Sequence, residues 1–333
     1  MSSGENILLI RFKSIGDILF TLPAVHAVHE NFPGAKIIFL TSRENAPLLR
    51  GFREVDETIA IDRAALKSGN PLKILPAFFG LLRRLRSGKF SLVVDFQGYG
   101  ETAWLARLSG APRRWGSVYS KGRAWAYTHG PKRDGKIHPA DWNLSLLQQC
   151  GLKIGEVKND FVLPEDALAA AGKFFSEQKL DAARPTLFIQ PFTSSPQKNW
   201  PLENFLALAR HWRSRGLQII FGGGPADRAA LEPARAEDFC ISAGPPLLVS
   251  AGLAKLSSFM LGGDSGLGHI AVAAGKRVVM VMMGNQPGFC VPFRHPDWTV
   301  VPAPGAGIAT IPVAAVLAAT ERAFSESTGN VSC

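Results

Sequence analysis

An aspartate lies where the first predicted strand turns into a helix. The strand ends in the run Arg11-Phe12-Lys13-Ser14-Ile15-Gly16-Asp17, in which a glycine makes the turn and an acid reaches the first helical turn. Such an acid has two explanations. As a helix cap it would contribute about 1 kcal/mol to stability, whereas as a general base it would take a proton from a substrate. The residues of this loop alone favour the cap.

A second loop carries hydroxyl groups and a cation between a strand and a helix. It spans residues 190–201, contains Thr193, Ser194 and Lys198, and ends at Pro201, a residue type that often opens helices. Hydroxyl groups, a lysine and a helix N-terminus together suit a bound anion such as a phosphate. We therefore predict an anion site in this loop.

Two glycine-rich loops follow strands in the second half of the chain. Gly222-Gly223-Gly224 precedes Asp227 and allows a ligand to approach the backbone, although a simple turn also explains it. The other loop reads Gly262-Gly263-Asp264-Ser265-Gly266-Leu267-Gly268-His269, and its amides and Ser265 could hold a diphosphate. A lone histidine is more often structural than catalytic, but the position of His269 in the first turn of a helix favours a ligand role.

Several common site patterns are missing from the sequence. The triple-glycine loop does not fit G-x-G-x-x-G, because Asp227 occupies the last glycine position, so an NAD site is disfavoured. We find no Walker lysine loop, no G-x-S-x-G turn, and no His, Cys, Asp and Glu cluster with metal-ligand spacing. The four cysteines lie far apart, which argues against a disulfide framework. We expect neither a cofactor nor a metal.

Strand and helix patterns alternate along the chain in two series. The first runs through residues 7–108, with one helix over 18–32, and the second through residues 186–283. This repetition predicts an α/β protein with two Rossmann-like, doubly wound parallel sheets. We place the domains at 1–180 and 181–312, with a linker around 176–185. Residues 313–333 form a last helix and tail, which a long preceding segment would allow to pack on the first domain.

Positive charge is concentrated in one stretch. The net charge is +10, and residues 83–136 contain twelve basic residues against three acidic ones. The aromatic residues interleaved with this charge are Trp104, Trp115, Tyr119, Trp125 and Tyr127. This composition suits an anionic partner such as a phosphorylated glycolipid, a membrane surface or a nucleic acid, whereas a solvated basic face is the plain alternative.

Length and composition exclude several protein classes. The 333 residues are enough for two cores, and 46% hydrophobic with 19% charged residues is near the average for soluble globular proteins. Disordered, collagen-like and coiled-coil proteins are therefore excluded. No apolar run reaches the ~18–20 residues of a membrane span, and the N-terminus lacks the pattern of a secretory signal. We expect a cytoplasmic protein.

In this order along the chain, the motifs resemble glycosyltransferase family 9, the bacterial heptosyltransferases of lipopolysaccharide core synthesis. The resemblance rests on Ile7-Leu8-Leu9-Ile10-Arg11, Gly16-Asp17, Leu22-Pro23-Ala24, Thr193-Ser194, Lys198-Asn199-Trp200-Pro201 and Asp264-Ser265-Gly266-Leu267-Gly268-His269-Ile270-Ala271. It spans most of the chain and includes Gly222-Gly223-Gly224. It implies the GT-B fold, in which two Rossmann-like domains face a cleft.

The resemblance implies an inverting transferase whose C-terminal half binds a nucleotide-sugar, typically ADP-L-glycero-β-D-manno-heptose, and whose N-terminal half binds a lipid A-linked acceptor. Asp17 matches the catalytic aspartate, the general base that deprotonates the acceptor hydroxyl, and Lys198 would offset charge on the departing diphosphate without a metal. The expected donor contacts are Thr193, Ser194, Lys198, Gly222, Gly223, Asp227, Asp264, Ser265, Gly266 and His269. The expected acceptor contacts are Lys13, Ser14, Gln97, Arg113, Arg114, Lys121 and Arg123.

The sequence departs from the family pattern at three points. Ser265 replaces a Thr but keeps the hydroxyl, and Gly268 replaces a bulkier residue; neither change removes chemistry. The acid that reads the ribose has no single match, since Asp227 is closest and Glu232 lies a turn later. The anionic groups of the acceptor would attract the basic stretch, which implies peripheral contact of a monomer with the cytosolic face of the inner membrane.

Three other functions remain open at this stage. The fold and leaving-group residues would equally serve another nucleotide-sugar or another acceptor. A non-catalytic module that binds sugar nucleotides or glycolipids is a second possibility, against which the joint presence of Asp17 and Lys198 argues. A nucleic-acid-binding protein is the third, and its affinity would fall steeply with salt. We expect no nucleic-acid partner.

Overall fold

Two parallel sheets, one in each half of the chain, organise the molecule. The computed structural model describes residues 4–63, 71–181 and 183–329, and its contacts divide the chain into Met1–Asn159 and Asp160–Cys333. The strands of the first unit are β1 (Asn6–Ile10), β2 (Lys36–Ser42), β3 (Glu57–Ile61), β4 (Leu92–Asp95) and β5 (Arg113–Gly116). Its α-helices are α1 (Ile15–Leu19), α2 (Leu22–Asn31), α3 (Pro71–Ser87), α4 (Gly100–Leu108) and α5 (Pro139–Gln149).

The first sheet has the order β3-β2-β1-β4-β5, and all its pairs are parallel. The central strand β1 is apolar, and Ile7, Leu8, Leu9 and Ile10 are all fully buried, as expected for a strand covered on both faces. Ile10 lies opposite Leu40 of β2 and Asp95 of β4. The strand order therefore reverses between β1 and β4, which is where ligands of such sheets bind.

The second unit repeats this plan with one more strand. Its strands are β6 (Thr186–Gln190), β7 (Gln218–Gly223), β8 (Cys240–Ala243), β9 (Phe259–Gly263), β10 (Val278–Val281) and β11 (Thr299–Val300). Its α-helices are α6 (Glu165–Glu177), α7 (Leu202–Ser214), α8 (Glu232–Ala236), α9 (Leu247–Leu256), α10 (Gly266–Ala273) and α11 (Val313–Gly329). The order β11-β10-β9-β6-β7-β8 is all parallel and reverses between β6 and β9.

The boundary between the units lies earlier than the predicted residue 180. Helix α6, which was assigned to the first domain, packs against α9 of the second unit. This contact is close because α9 carries a glycine where α6 presents alanines: a Cβ on Gly252 would lie 2.9 Å from the Cβ of Ala171. Small residues at facing positions therefore assign α6 to the second unit.

The last helix also differs from expectation, since it belongs to the core of the second unit. Val316, Ala319 and Ala323 of α11 are buried in the cluster formed around β6, β9 and α7. Trp212 Nε1 donates a hydrogen bond to Thr320 Oγ1 at 3.1 Å. The apolar stripe of α11 thus covers the second sheet.

The helix expected over residues 18–32 is two helices. Helix α1 ends at Leu19, and α2 begins at Leu22 after Thr21 at its N-cap, with Pro23 in its first turn. Proline fits the first turn of a helix but not its interior, so the break falls just before it. Among the described residues, no helix combines the length and the apolarity needed to cross a bilayer.

Candidate active site

Asp17 lies beside the switch point of the first sheet and is held from two sides. Its Oδ1 accepts from Arg11 Nη2 at 2.9 Å, and its Oδ2 accepts from Ser14 N at 2.9 Å and from Ser14 Oγ at 3.2 Å. The contact with Ser14 N completes the capping box of α1, so the structural explanation of this acid is correct. Its side chain nevertheless remains 33% exposed, which leaves the carboxylate accessible to a substrate.

Arg11 is a residue whose role the sequence analysis missed. Its guanidinium is buried, donates to Phe96 O at 2.7 Å and to Lys13 O at 3.0 Å, and pairs with Asp17. These three contacts use the planar fork of arginine, which lysine could not reproduce. Arg11 therefore positions the Asp17 carboxylate. Lys13 and Asp17 belong to the same loop as Arg11, and only Phe96 is distant in sequence, so the loop itself held a signal for this pairing.

Gln97 joins the end of β4 to the loop that carries Asp17. Its Oε1 accepts from Phe12 N at 2.8 Å and from Lys13 N at 3.4 Å, and the side chain is fully buried. Its Nε2 has no hydrogen-bond partner among the described residues. The structure therefore places Gln97 with Lys13 and Ser14, which are exposed, at the edge where the acceptor was predicted.

A second buried acid shapes the same edge. Asp95 accepts from the hydroxyl of Tyr127 at 2.6 Å and from the backbone N–H groups of Gln97 and Gly98 at 2.9 and 3.0 Å. Burial raises the pKa of Asp95 above its usual range despite these hydrogen bonds. Burial also raises the pKa of Tyr127, with the Asp95 charge adding to the effect. This pair fixes the turn after β4.

The predicted acceptor arginines do not all reach this edge. Arg113 and Arg114 begin β5, at the opposite end from the Asp95–Gly116 pair. Arg113 pairs with Glu5 at 3.1 Å, and Arg114 Nε donates to Ala126 O at 2.9 Å. Both side chains thus hold parts of the first unit together, and the structure does not bring them to Asp17.

Arg123 lies closer to the predicted acceptor edge. Its Nη1 donates at 3.0 Å to the carbonyl oxygen of Gly98, three residues beyond the end of β4. The backbone of Lys121 begins the short 3₁₀ helix Lys121–Ala126, and its side chain lies outside the described part of the structure.

Three polar side chains meet at the switch point of the second sheet. Asp264 follows β9, and its Oδ2 accepts from Lys198 Nζ at 2.6 Å. Its Oδ1 lies 3.3 Å from Nε2 of His269, which is buried in α10. The Asp264 side chain is 15% exposed, whereas that of Lys198 is 48% exposed. The lysine therefore keeps an open side toward solvent while its ammonium is held in place.

The electrostatics of this cluster follow from its composition. Burial by itself would raise the pKa of Asp264, but the hydrogen bonds from His269 and Lys198 outweigh it. The net effect is that the pKa of Asp264 lies below its ordinary value. Asp264 is therefore a permanent anion at neutral pH that anchors the lysine.

The hydroxyl loop of residues 190–201 is built around Asn199, another residue that the sequence analysis assigned no role. Asn199 Oδ1 accepts from Thr193 N at 2.9 Å and lies 2.9 Å from Thr193 Oγ1. Ser194, next along the loop, is exposed. A Cβ on Gly263 would lie 2.7 Å from Thr193 Cγ2, so the glycine allows this loop to reach the end of β9. Thr193 and Lys198 thus share one edge with Asp264.

Helix α10 begins at this same edge. Ser265 is its N-cap and accepts from Gly268 N at 3.3 Å through its side chain. Gly266 is the first helical residue, and the amides of this first turn point out of the helix toward its N-terminus. Free amides and a positive helix end beside a lysine can hold a phosphate group.

The triple glycine lies at the end of β7, the strand next to β6: Gly222 and Gly223 are its last two residues, and Gly224 follows it. A Cβ on Gly222 would lie 2.3 Å from the ring of Phe188, and one on Gly223 would lie 2.9 Å from the Cβ of Asp227. Asp227 Oδ2 accepts from Gly224 N at 2.8 Å and so closes the turn. The glycines are required by packing, and Asp227 has a structural task in addition to the predicted ribose contact. Glu232, the other candidate, is exposed and pairs with Arg235.

In the described ranges, no group of three or more His, Cys, Asp or Glu side chains is arranged to hold a metal ion.

Comparison with known proteins agrees with this architecture. The family model described as glycosyltransferase family 9 (heptosyltransferase) matches residues 78–301. Lipopolysaccharide heptosyltransferase 1 of Pseudomonas aeruginosa is 25% identical over 301 residues, which cover 85% of this chain and 80% of that protein.

Two solved structures have a similar fold. One is the glycosyl transferase family 9 protein from Veillonella parvula, with a TM-score of 0.86 and 20% identity, covering 98% of this chain and 99% of that one. The other is the E. coli heptosyltransferase WaaC with ADP-2-deoxy-2-fluoro heptose, with a TM-score of 0.75 and 21% identity, covering 95% and 99%. The predicted GT-B fold of two parallel-sheet α/β domains is thereby confirmed.

The family match covers most of the chain, including the basic stretch, the hydroxyl loop and the Asp264 cluster. The match to this family model, together with the two parallel sheets, indicates that the protein is an enzyme that transfers a glycosyl group. The chain therefore belongs to glycosyltransferase family 9, the heptosyltransferase family.

Proposed function

We propose that the protein transfers a heptose from ADP-L-glycero-β-D-manno-heptose to the inner core of a lipid A-linked lipopolysaccharide acceptor, with inversion at the anomeric carbon. The observation that carries the proposal is that each sheet presents one suitable charged side chain at its switch point. These are the accessible carboxylate of Asp17 and the anchored ammonium of Lys198. The family match and the structure of a relative with a fluorinated ADP-heptose support the donor.

In the proposed reaction, Asp17 is the general base. The acceptor hydroxyl gives its proton to the carboxylate, and the resulting oxygen forms a bond to the anomeric carbon of the donor. The bond from that carbon to the diphosphate breaks, and ADP leaves with the electron pair. Arg11 and Ser14 hold the carboxylate so that one orientation persists. Such positioning of a base supplies about 10²–10⁴-fold in rate.

Negative charge grows on the diphosphate as the bond breaks. Lys198, Thr193, Ser194 and the amides at the start of α10 are the proposed donors to this charge. Because Lys198 is already fixed by Asp264 at 2.6 Å, it needs little reorganisation as the charge develops. We propose that these groups suffice without a metal, which predicts full activity in the presence of EDTA.

The remaining donor and acceptor contacts form part of the same proposal. Asp264 would accept hydrogen bonds from sugar hydroxyls, His269 would lie near the phosphates, and the backbone at Gly222, Gly223 and Asp227 would face the nucleoside. Lys13, Ser14 and Arg123 would contact the acceptor, whereas the buried Gln97 would position the backbone of Phe12 and Lys13. We place the reaction at the cytosolic face of the inner membrane, catalysed by a monomer.

The first experiment is calorimetric titration of the purified protein with ADP, UDP, GDP and NAD, with and without Mg²⁺. The proposal expects binding selective for ADP that does not need metal, together with a rise in thermal stability set by mass action. A transfer assay with ADP-heptose and a lipid A–Kdo acceptor follows. Preference for UDP or GDP would replace the donor assignment, and failure to bind any nucleotide would favour a non-catalytic module.

A further inference from the structure

Four exposed aromatic side chains of the first unit form two ring pairs. The rings of Trp104 and Trp125 lie 4.5 Å apart between centroids, and those of Tyr99 and Tyr119 lie 5.7 Å apart. Each pair connects the same two segments, namely α4 with its N-cap and the stretch that leads through the short 3₁₀ helix Lys121–Ala126. The two pairs thus lie side by side, and we call them the aromatic face.

The rings of the aromatic face are much more exposed than the tryptophans of the core. The four side chains of the aromatic face are between 42% and 56% exposed, whereas Trp142, Trp200 and Trp212 are at most 1% exposed. Within α4, Ala103 and Leu105 on either side of Trp104 are buried. The helix therefore fills its core without the tryptophan, and large apolar rings gathered at a surface indicate a partner.

Two arginines lie beside the aromatic face. Arg107 is exposed three residues after Trp104, and the guanidinium of Arg133 lies 6.0 Å from the Tyr119 ring centroid. The one acid of α4, Glu101, is held by two hydrogen bonds from Arg63 at 3.1 and 2.9 Å. The face therefore combines accessible rings and cations with an acid that is already neutralised.

We propose that the aromatic face is a docking surface for a lipid bilayer that carries anionic headgroups. Tryptophan and tyrosine have an apolar ring with a polar group, and they prefer the headgroup level of a membrane. Cations beside them are attracted by the negative potential of an anionic surface. A protein partner would equally cover rings, but the adjacent cations Arg107 and Arg133 match the charge of such a bilayer.

The aromatic face lies close to the loop that carries Asp17. Tyr99 follows Gln97 by two residues, and the Gln97 side chain holds the loop that carries Asp17. A bilayer seated on the face would therefore lie next to the predicted acceptor edge of the first unit. This role rests on the proposed function, because it matters most for a lipid-linked acceptor. The test below does not use the transfer reaction.

The experiment is co-sedimentation of the full chain with vesicles of phosphatidylcholine alone or mixed with phosphatidylglycerol. We expect binding to the mixed vesicles, and the double variant Trp104→Ala/Trp125→Ala should reduce it about tenfold or more. Arg107→Gln should reduce it about fivefold. The matched controls are Leu256→Ala and Arg322→Gln, which alter exposed apolar and basic residues of the second unit and should bind as the wild type does.

A second measurement protects the test against a misfolded variant. Brominated lipids in the mixed vesicles should quench part of the tryptophan fluorescence of the unmodified protein, because the rings enter the headgroup region. Binding that is equal for all variants, absence of quenching, or dimerisation through the face in place of vesicle binding would each overturn the proposal. ADP titration of the double variant should match the wild type. If the wild-type protein does not bind ADP, the proposed donor is wrong, and the vesicle result still stands.

Discussion

Asp17 and Asp264 lie after central strands of two similar sheets, but their surroundings differ, and so do the roles that they can have. Asp17 is one-third exposed and shares its two oxygens between a buried arginine and a helix cap. Asp264 is 15% exposed and lies between a lysine and a histidine, which hold its pKa below the ordinary value. The accessible acid therefore suits proton transfer, whereas the enclosed acid suits the positioning of cations.

The largest effect that would test this contrast is expected for Asp17→Asn. Asparagine can still accept a hydrogen bond from Ser14 N, so α1 should keep its cap, but the base is lost. We expect kcat in the transfer assay to fall about 10²–10⁴-fold while ADP affinity stays within error. Ser14→Ala, which removes the Oγ contact but keeps the carboxylate, should lower kcat much less. An unchanged kcat would mean that Asp17 is a cap alone.

The next largest effect concerns Lys198. In Lys198→Ala we expect kcat to fall about 10²-fold, because charge on the diphosphate loses its nearest cation. ADP affinity measured by calorimetry should fall about tenfold. Lys198→Arg, which keeps the charge, should recover part of both losses. If ADP binds Lys198→Ala as tightly as the wild type, Lys198 only pairs with Asp264 and does not contact the diphosphate.

Two glycines, one in each unit, are expected to differ in how far an added methyl group lowers the stability of the protein. Gly98 has φ of +67°, and a Cβ there would lie 1.9 Å from Ser117 O, so Gly98→Ala should destabilise the first unit by about 2–3 kcal/mol. In Gly263→Ala the closest contact of the added methyl is a side-chain atom, Thr193 Cγ2 at 2.7 Å, so the loop that carries Thr193 must shift while the strand backbone is spared. Thermal melting should therefore separate the two variants, with Gly98→Ala lower. ADP affinity should fall in Gly263→Ala alone, and equal melting temperatures would contradict this assignment.

The smallest effect is expected from acid titration of Asp264. Because its pKa is lower in the folded protein than in the unfolded chain, the folded state binds fewer protons in that range. Its contribution to stability is complete above the unfolded pKa of about 4 and is lost as the pH falls through the folded pKa. Asp264→Asn should therefore flatten the acid limb of the melting temperature. Asp160→Asn, at an exposed position of the same unit, should leave that limb unchanged.

Local sequence predicted a large part of this molecule. The apolar runs of β1, β6 and β9 and the loops after them identified two parallel sheets and the positions of Asp17, Lys198 and Asp264. This was possible because strand periodicity and turn residues act over a few positions. The break between α1 and α2 was also present in the sequence, in the proline at position 23, but the continuous apolar pattern obscured it.

The tertiary structure decided which of these residues meet. Lys198 and Asp264 are 66 positions apart, and Gln97 contacts Phe12 over 85 positions. Arg113 and Arg114 appeared suited to an anion by charge, but β5 turns them toward the start of the sheet, where they hold Glu5 and Ala126. Likewise, the guanidinium of Arg11 is fixed by Phe96 O, 85 positions away, while it pairs with Asp17 of its own loop.

By itself, the sequence determined the α/β class, the repeated sheet and the edges at which chemistry is to be expected. Periodicity and composition carry this information because each element buries its own apolar face. Only the tertiary structure decided that one acid is open and the other enclosed, that α6 and α11 belong to the second unit, and that aromatic rings gather at one surface. These properties depend on contacts between segments distant in sequence, which no local pattern specifies.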